Sequence, residues 1–161
     1  MTHNNPYEIK TGEHYIPSMN ALNRIYSQHP DFKPATKLIY ELLFDYWNPK
    51  YGYAFPTMRQ LERDSGLGYS TVEQQIRTLI KLNLIEKERS AKHGNNVYYV
   101  KKPVNSLEQL YEKFPDIRDK SEERLQKIKD DEVAEKERRN ENQTSNQNNQ
   151  DDPNDFDPSW F

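Results

Sequence analysis

Apolar residues recur at helical spacing in several segments of the first 105 residues. A short stripe within 14–26 predicts a short helix, and a broader stripe predicts a core helix over 35–47. The members of the broader stripe are Leu38, Ile39, Leu42, Leu43 and Tyr46. Thr57 is a good cap for another helix, which Gly66 would end. The next helix is predicted over 69–83, and Val72, Ile76, Leu79, Ile80 and Asn83 share the face that would lie in the core.

The pattern changes after the helix at 69–83. The stretches LIEKERSA and VYYVKK are rich in strand-forming residues, and KHGNN between them is typical of a turn. The segment therefore predicts a β-hairpin directly after the three helices predicted between 35 and 83. Beyond 106 the apolar positions thin out: 106–114 has helical spacing, 119–139 predicts a mixed-charge helix, and 142–150 is a polar linker.

Composition divides the chain in the same way. Only 33% of the residues are hydrophobic and 30% are charged, so we expect a folded part and a disordered part. Residues 1–105 hold 14 Lys and Arg against 10 Asp and Glu, whereas residues 106–161 hold 9 against 16. A basic first part is typical of a protein with a polyanionic partner. A mildly basic domain with a solubilising acidic tail would have the same distribution of charge.

Several classes of function are disfavoured. The absence of cysteine excludes disulfides and thiolate chemistry, and no apolar run approaches the length of a membrane span. The N-terminus lacks the apolar region of a signal peptide, so we expect a cytoplasmic protein. No glycine-rich phosphate loop or cluster of metal ligands is present, and the four histidines are scattered. We therefore expect a non-enzymatic protein with no cofactor and no metal.

Residues 64–79, DSGLGYSTVEQQIRTL, have the features of a helix-turn-helix unit. Leu61 would anchor the support helix, Gly66 would form the turn and Leu67 would point into the core. At 100° per residue, the side of the second helix opposite its core carries no acid, and its side chains can donate hydrogen bonds to DNA. They are Ser70, Thr71, Gln74, Arg77, Thr78 and Lys81. The alternative is an ordinary amphipathic helix with a solvated face.

Two neighbouring regions add candidate contacts. We expect a mobile basic hairpin tip to follow the phosphate backbone, although any hairpin loop is polar and Glu86 and Glu88 interleave the basic residues. The candidates at this tip are Arg89, Lys92, His93 and Asn95. Tyr69 would either stack on DNA or cover the turn, because an amphipathic ring suits both roles.

Residues 35–102 resemble the winged helix-turn-helix family, on the string PTMRQLERDSGLGYSTVEQQIRTLIKLNLIEKERSAKHGNNVYYV. They are similar in particular to the replication initiators and replisome organisers of bacterial plasmids and phages, although transcription regulators share the string. Gly68 stands where the family often has a Ser or Thr cap, and Tyr69 and Ser70 replace commoner basic residues. The resemblance implies binding of double-stranded DNA, with the helix at 69–83 in the major groove, but no base preference.

The C-terminal stretch DDPNDFDPSWF resembles the acidic tips of bacterial single-stranded-DNA-binding proteins. The resemblance implies docking onto a replication or host protein, with aromatic anchors and acidic neighbours. These residues are Asp155, Phe156, Asp157, Trp160 and Phe161. Alternatively, the tail improves solubility, or it masks the DNA-binding face by mimicking phosphate.

These observations predict a mainly α fold with a small β-hairpin: a winged helix-turn-helix domain, a charged helix and a disordered acidic tail. The predicted parts are a flexible N-terminus at 1–14, the domain at 15–105, a charged helical extension at 106–139, and a disordered linker and tip at 140–161. We expect sequence-specific DNA binding in replication initiation; the alternatives are a transcriptional repressor and a protein-interaction adaptor. The charged helix is a possible homodimer seam, although Leu125, Ile128 and Val133 do not sustain a heptad pattern.

Overall fold

The computed structural model describes residues 18–148, with side chains through 144. Its helices and strands, in chain order, are α1 (Asn20–Arg24), α2 (Pro34–Asp45), β1 (Trp47–Asn48), β2 (Tyr53–Ala54), α3 (Met58–Ser65), α4 (Tyr69–Lys81), β3 (Ile85–Arg89), β4 (Asn96–Val100), α5 (Leu107–Lys113) and α6 (Arg118–Asn148). Short 3-10 turns precede α2 and α6. The described part of the chain is mainly helical with one small antiparallel sheet, which confirms the predicted fold class.

Helix α2 lies at the centre of the core. It begins at Pro34, whose missing N–H is tolerated in a first turn, and it buries Ile39 and Leu43 completely. The predicted stripe is confirmed for these residues. Tyr46 lies just beyond the helix and is half-buried, and its hydroxyl donates a hydrogen bond to Asp64 Oδ2 at 2.5 Å. This bond ties the end of α2 to the end of α3.

Helix α3, the predicted support helix, and the turn after it form as the sequence predicts. Thr57 caps α3 by accepting a hydrogen bond from the Gln60 amide at 3.1 Å, and Leu61 is fully buried. Gly66 ends the helix with φ at +70°, in the left-handed region that glycine enters without strain. The predicted cap and the predicted turn residue are both confirmed, and α4 begins three residues later.

The sheet has the strand order β1-β2-β4-β3, with all neighbours antiparallel. Strands β3 and β4 form the predicted hairpin, with Ile85 opposite Val100 and Arg89 opposite Asn96. The hairpin of β1 and β2 was not predicted, because the sequence indicated only that Pro and Gly break the preceding helix. Strands of two residues are too short to show alternation.

The end of α4 differs from the prediction. Ile80 is 39% exposed, and Asn83 is exposed with φ at +56°, so neither belongs to the core face. The left-handed Asn83 lets the Leu84 amide donate to the Leu79 carbonyl at 2.9 Å, which closes the helix. Leu82 and Leu84 are fully buried instead.

The described chain divides into two compact units between Pro115 and Asp116. Helix α5, which the sequence assigned to the charged extension, falls in the first unit. Helix α6 continues through 140–148, where the sequence predicted the start of a disordered linker. Pairs spaced by four residues line it, such as Arg118 Nε with Glu122 Oε1 at 3.0 Å. The predicted acidic tip at 155–161 and the predicted N-terminal segment at 1–14 lie outside the described residues.

Candidate nucleic-acid interface

The inner side of α4 is fixed to the core by apolar contacts and one buried hydrogen bond. Val72 and Leu79 are fully buried, and Ile76 nearly so. Gln75 is also buried, and its Oε1 accepts a hydrogen bond of 2.7 Å from the Thr36 hydroxyl on α2. Sequence reasoning missed Gln75, because a glutamine gives no apolar signal and its partner lies 39 residues away.

The outer side of α4 carries the predicted DNA-contacting residues. Ser70, Gln74, Arg77 and Lys81 are exposed, whereas Thr71 and Thr78 are half-buried. The Thr78 hydroxyl donates to the backbone carbonyl of Gln74 at 3.1 Å, so its donor is used within the helix. The structure therefore brings the predicted set onto one accessible face, with Thr78 as its least available donor.

Two acidic residues neutralise the cations of this face. Arg77 pairs with Glu73 at 2.9 Å along the helix, and Lys81 pairs with Asp31 at 2.6 Å across to the segment before α2. The hydrogen bond from Lys81 lowers the pKa of Asp31, so this carboxylate stays ionised at neutral pH. Asp31 was not predicted to belong to the site, because it precedes Lys81 by 50 residues.

A shallow polar groove of about 370 Å³ runs beside these pairs. Its lining comprises Asp31, Lys33, Gln74, Gln75, Arg77, Thr78 and Lys81. The groove therefore places amide and cationic side chains of α4 next to the single carboxylate of Asp31.

His29 positions the segment that carries Asp31. Its ring is 5% exposed, lies edge-on to Phe114 at 4.9 Å, and accepts a hydrogen bond from the Asp31 amide through Nδ1 at 3.1 Å. Burial lowers the pKa of His29, because the charged ring would lose its hydration. The neutral ring is the form that can accept this hydrogen bond.

The start of α4 combines an exposed ring with a cation. Tyr69 is 48% exposed, and the Arg59 guanidinium carbon lies 5.9 Å from its ring centroid. Gly68 provides no side-chain cap, and the first turn of α4 contains no acid. Arg59 was missed by sequence reasoning, because its position on α3 gave no indication that it approaches Tyr69.

The hairpin tip is docked, and the prediction of a mobile tip is wrong. The His93 ring stacks on Phe55 with centroids 4.2 Å apart and planes 10° apart, and Nε2 lies 3.1 Å from the Tyr53 hydroxyl. Asn95 Nδ2 donates to the Phe55 carbonyl at 2.8 Å. Both side chains therefore hold the tip against the β1–β2 hairpin.

The two other predicted tip residues remain accessible. Arg89 and Lys92 are both exposed, and the Lys92 Nζ lies 4.4 Å from the ring centroid of Tyr51. The tip thus presents two cations on a fixed frame.

The described part of the chain lacks two other kinds of feature. Between residues 18 and 148, no His, Asp and Glu side chains group in a way that would hold a metal ion. Within the same residues, no helix is both long and apolar enough to cross a membrane.

One family model agrees with this geometry. The sequence model of a family described as "Helix-turn-helix domain" matches residues 32–85, which run from just before α2 through α4 to the first residue of β3. No curated protein matches this chain. A solved chain described as "Structure of Rep-DNA complex" is 15% identical, with a TM-score of 0.47 over 62% of this chain and 84% of that chain. The family model and the order of α3, Gly66, α4 and the β3–β4 hairpin show that this part of the chain has a winged helix-turn-helix fold.

Proposed function

We propose that this chain binds double-stranded DNA sequence-specifically, with α4 in the major groove, and that it has no catalytic activity of its own. The observation that carries the proposal is the exposed face of α4. Ser70, Gln74, Arg77 and Lys81 point outward from a helix whose other side is held in the core. A major groove admits one α-helix, and such side chains can read base edges there.

The individual side chains have distinct proposed roles. Gln74 and Arg77 have the amide and guanidinium groups that pair with adenine and guanine edges. The uncapped amides of the first turn of α4, after Gly68, would bind a backbone phosphate. Arg89 and Lys92 would contact phosphates beside the groove, because both lie exposed on the docked tip.

The ion pairs of α4 would lower the affinity of this binding. A phosphate that approaches Lys81 or Arg77 must compete with Asp31 or Glu73, which lie 2.6 and 2.9 Å away. Such exposed pairs contribute about 0.2–1 kcal/mol, so a polyanion can displace them. The carboxylates would weaken binding to arbitrary DNA and leave affinity dependent on base contacts.

We further propose that this binding serves replication initiation of a plasmid, phage or other mobile element, with the C-terminal tip docking a replication or host protein. Two sequence features support this role. The PTMRQLERDSG string resembles that of plasmid and phage replication initiators, and the acidic and aromatic residues at 155–161 resemble the tips of single-stranded-DNA-binding proteins. Deletion of 150–161 tests it. Replication of a dependent element should fail while DNA binding survives; unchanged replication would contradict the role of the tip.

Fluorescence-anisotropy titration tests DNA binding itself. The probe is a labelled duplex selected from a random library, titrated at several salt concentrations with the wild type and with the double variant Gln74→Ala, Lys81→Ala. A matched control, Gln126→Ala with Lys127→Ala, removes the same residue types from exposed positions of α6. We expect the first variant to weaken binding at least tenfold, on the scale of about 1–3 kcal/mol for a base contact, and the control to leave it unchanged. No duplex binding by the folded wild type would refute the proposal.

A further inference from the structure

Five aromatic rings meet on the side of the sheet that faces away from the helices. We call Tyr51, Tyr53, Phe55, His93 and Tyr99 the ring cluster. Tyr51 and Tyr53 are nearly parallel, at 16° with centroids 5.7 Å apart, and Tyr53 meets Tyr99 edge-on at 5.6 Å. His93 and Phe55 form the second parallel pair, and Tyr51 contacts both edge-on.

The strand register explains why this cluster is separate from the core. Ala54 lies opposite Tyr98, and both are fully buried on the helix side. Successive side chains of a strand point to opposite faces, so Tyr53 and Tyr99 point away from the helices. All five rings are half-buried, and each keeps part of its surface in solvent.

Charges are distributed unevenly around the cluster. Lys92 Nζ and Lys50 Nζ lie 4.4 and 5.8 Å from the ring centroid of Tyr51. At the other end, the Tyr99 hydroxyl donates to Glu88 Oε2 at 3.4 Å. The end at Tyr51 is therefore positive and the end at Tyr99 is negative, so an anionic ligand would be held at Tyr51.

We propose that the ring cluster binds unpaired bases of a DNA strand at its Tyr51 end. Aromatic rings next to cations are the combination that single-strand-binding surfaces use: bases stack on the rings while the cations neutralise the adjoining phosphates. In a duplex the bases are stacked on one another, so their faces cannot reach Tyr51. When a base stacks on the Tyr51 ring, it displaces the Lys92 ammonium, which then binds a neighbouring phosphate.

This inference rests on the proposed function and extends it. The ring cluster includes His93 of the docked tip, and Phe55 directly precedes the Pro56–Thr57 entry to α3. A chain that reads duplex DNA with α4 would hold a locally opened strand with the ring cluster. The two surfaces share Lys92, but Tyr51 belongs to the ring cluster alone and Gln74 and Lys81 to α4 alone, so variants at those positions test them separately.

The test compares two labelled strands of equal charge. One is a twenty-residue oligothymidine, and the other is a strand of the same length in which every base is replaced by an abasic spacer. The full chain should bind oligothymidine more tightly by about tenfold, the effect of roughly one stacked base. Tyr51→Leu should abolish this preference, whereas Tyr51→Phe, which keeps the ring, should retain it.

Lys92→Gln should weaken both strands alike and reduce the magnitude of the log–log salt slope by about 0.7, as the loss of one phosphate contact requires. The selected duplex is titrated in parallel, and circular dichroism follows the fold of each variant. If Tyr51→Leu does not fold, 5-iododeoxyuridine in the oligonucleotide replaces it as the test. Irradiation should crosslink this base to a ring of the cluster. Crosslinks confined to Tyr69 would contradict the proposal that the bases bind at the ring cluster.

The outcomes separate the two ideas. Equal binding of the two strands, with duplex binding intact, overturns the inference and leaves the proposed function standing. Base-dependent binding without duplex binding supports the ring cluster and contradicts the proposed function. No binding of any nucleic acid by the folded chain overturns both and directs attention to a protein partner.

Discussion

The buried hydrogen bond between α2 and α4 offers a sharp test of how α4 is held. The Thr36 hydroxyl donates to Gln75 Oε1 at 2.7 Å and accepts from the Lys33 amide at 3.1 Å. Thr36 is fully buried. Thr36→Val keeps the shape of the side chain but removes the hydroxyl, which leaves the Gln75 amide oxygen buried without its donor.

The expected loss of stability follows from this geometry. An intramolecular hydrogen bond contributes about 0.5–1.5 kcal/mol net, whereas a buried polar group left unsatisfied costs about 1–3 kcal/mol. The loss of the acceptor for the Lys33 amide adds little to the cost of Thr36→Val, because Lys33 is exposed and water can accept that hydrogen bond instead. We therefore expect Thr36→Val to lower the free energy of unfolding by about 2 kcal/mol, which corresponds to a fall in Tm of roughly 10 °C for a domain of this size.

Urea denaturation followed by circular dichroism at 222 nm measures this loss, and a double-mutant cycle assigns it to the pair. Gln75→Leu removes the stranded amide, so Thr36→Val with Gln75→Leu should be more stable than the sum of the two single effects predicts. The expected coupling is about 1–2 kcal/mol. Additive effects, or a loss below about 0.5 kcal/mol for Thr36→Val, would refute the reasoning.

Three further predictions concern other features. Asp31→Asn releases Lys81 from its ion pair and should tighten duplex binding about two- to fivefold by anisotropy; unchanged affinity would show that the pair does not oppose DNA. Gly66→Ala should lower the free energy of unfolding in urea by about 1 kcal/mol because φ is +70° there, and Gly66→Asn should cost less. Equal effects of the two substitutions would argue against backbone strain. Burial lowers the pKa of His29, so the unfolded chain takes up a proton near pH 6.5 that the folded chain does not. Stability should fall as the pH drops from 7.5 to 5.5, and His29→Gln should flatten that dependence; an unchanged pH profile would exclude His29 as its cause.

Residues whose role depends on local pattern could be predicted from the sequence. Val72, Ile76 and Leu79 recur at helical spacing on α4, Leu61 is the anchor expected on α3, and all four are buried as expected. Gly66 was predicted from its place after a short helix. Such signals are local, because periodicity and capping involve residues within a turn or two of each other.

Residues whose role depends on distant contacts could not be predicted. Gln75 is buried because Thr36 satisfies it, and Asp31 belongs to the site because Lys81 reaches it. His93 looked like a phosphate ligand, yet its ring stacks on Phe55. In each case a contact with a residue distant in sequence determines the surroundings of the side chain, and no pattern in the neighbouring sequence predicts that contact.

The most direct test of the central claim is to map the DNA-binding surface on the full chain by NMR. A ¹⁵N-labelled sample is titrated with the selected duplex, and the amide shifts are followed residue by residue. We predict that the largest changes fall on Tyr69–Lys81 and on Arg89 and Lys92 at the docked tip. Changes confined to α6, or none on α4 at saturating duplex, would contradict the claim that α4 enters the major groove.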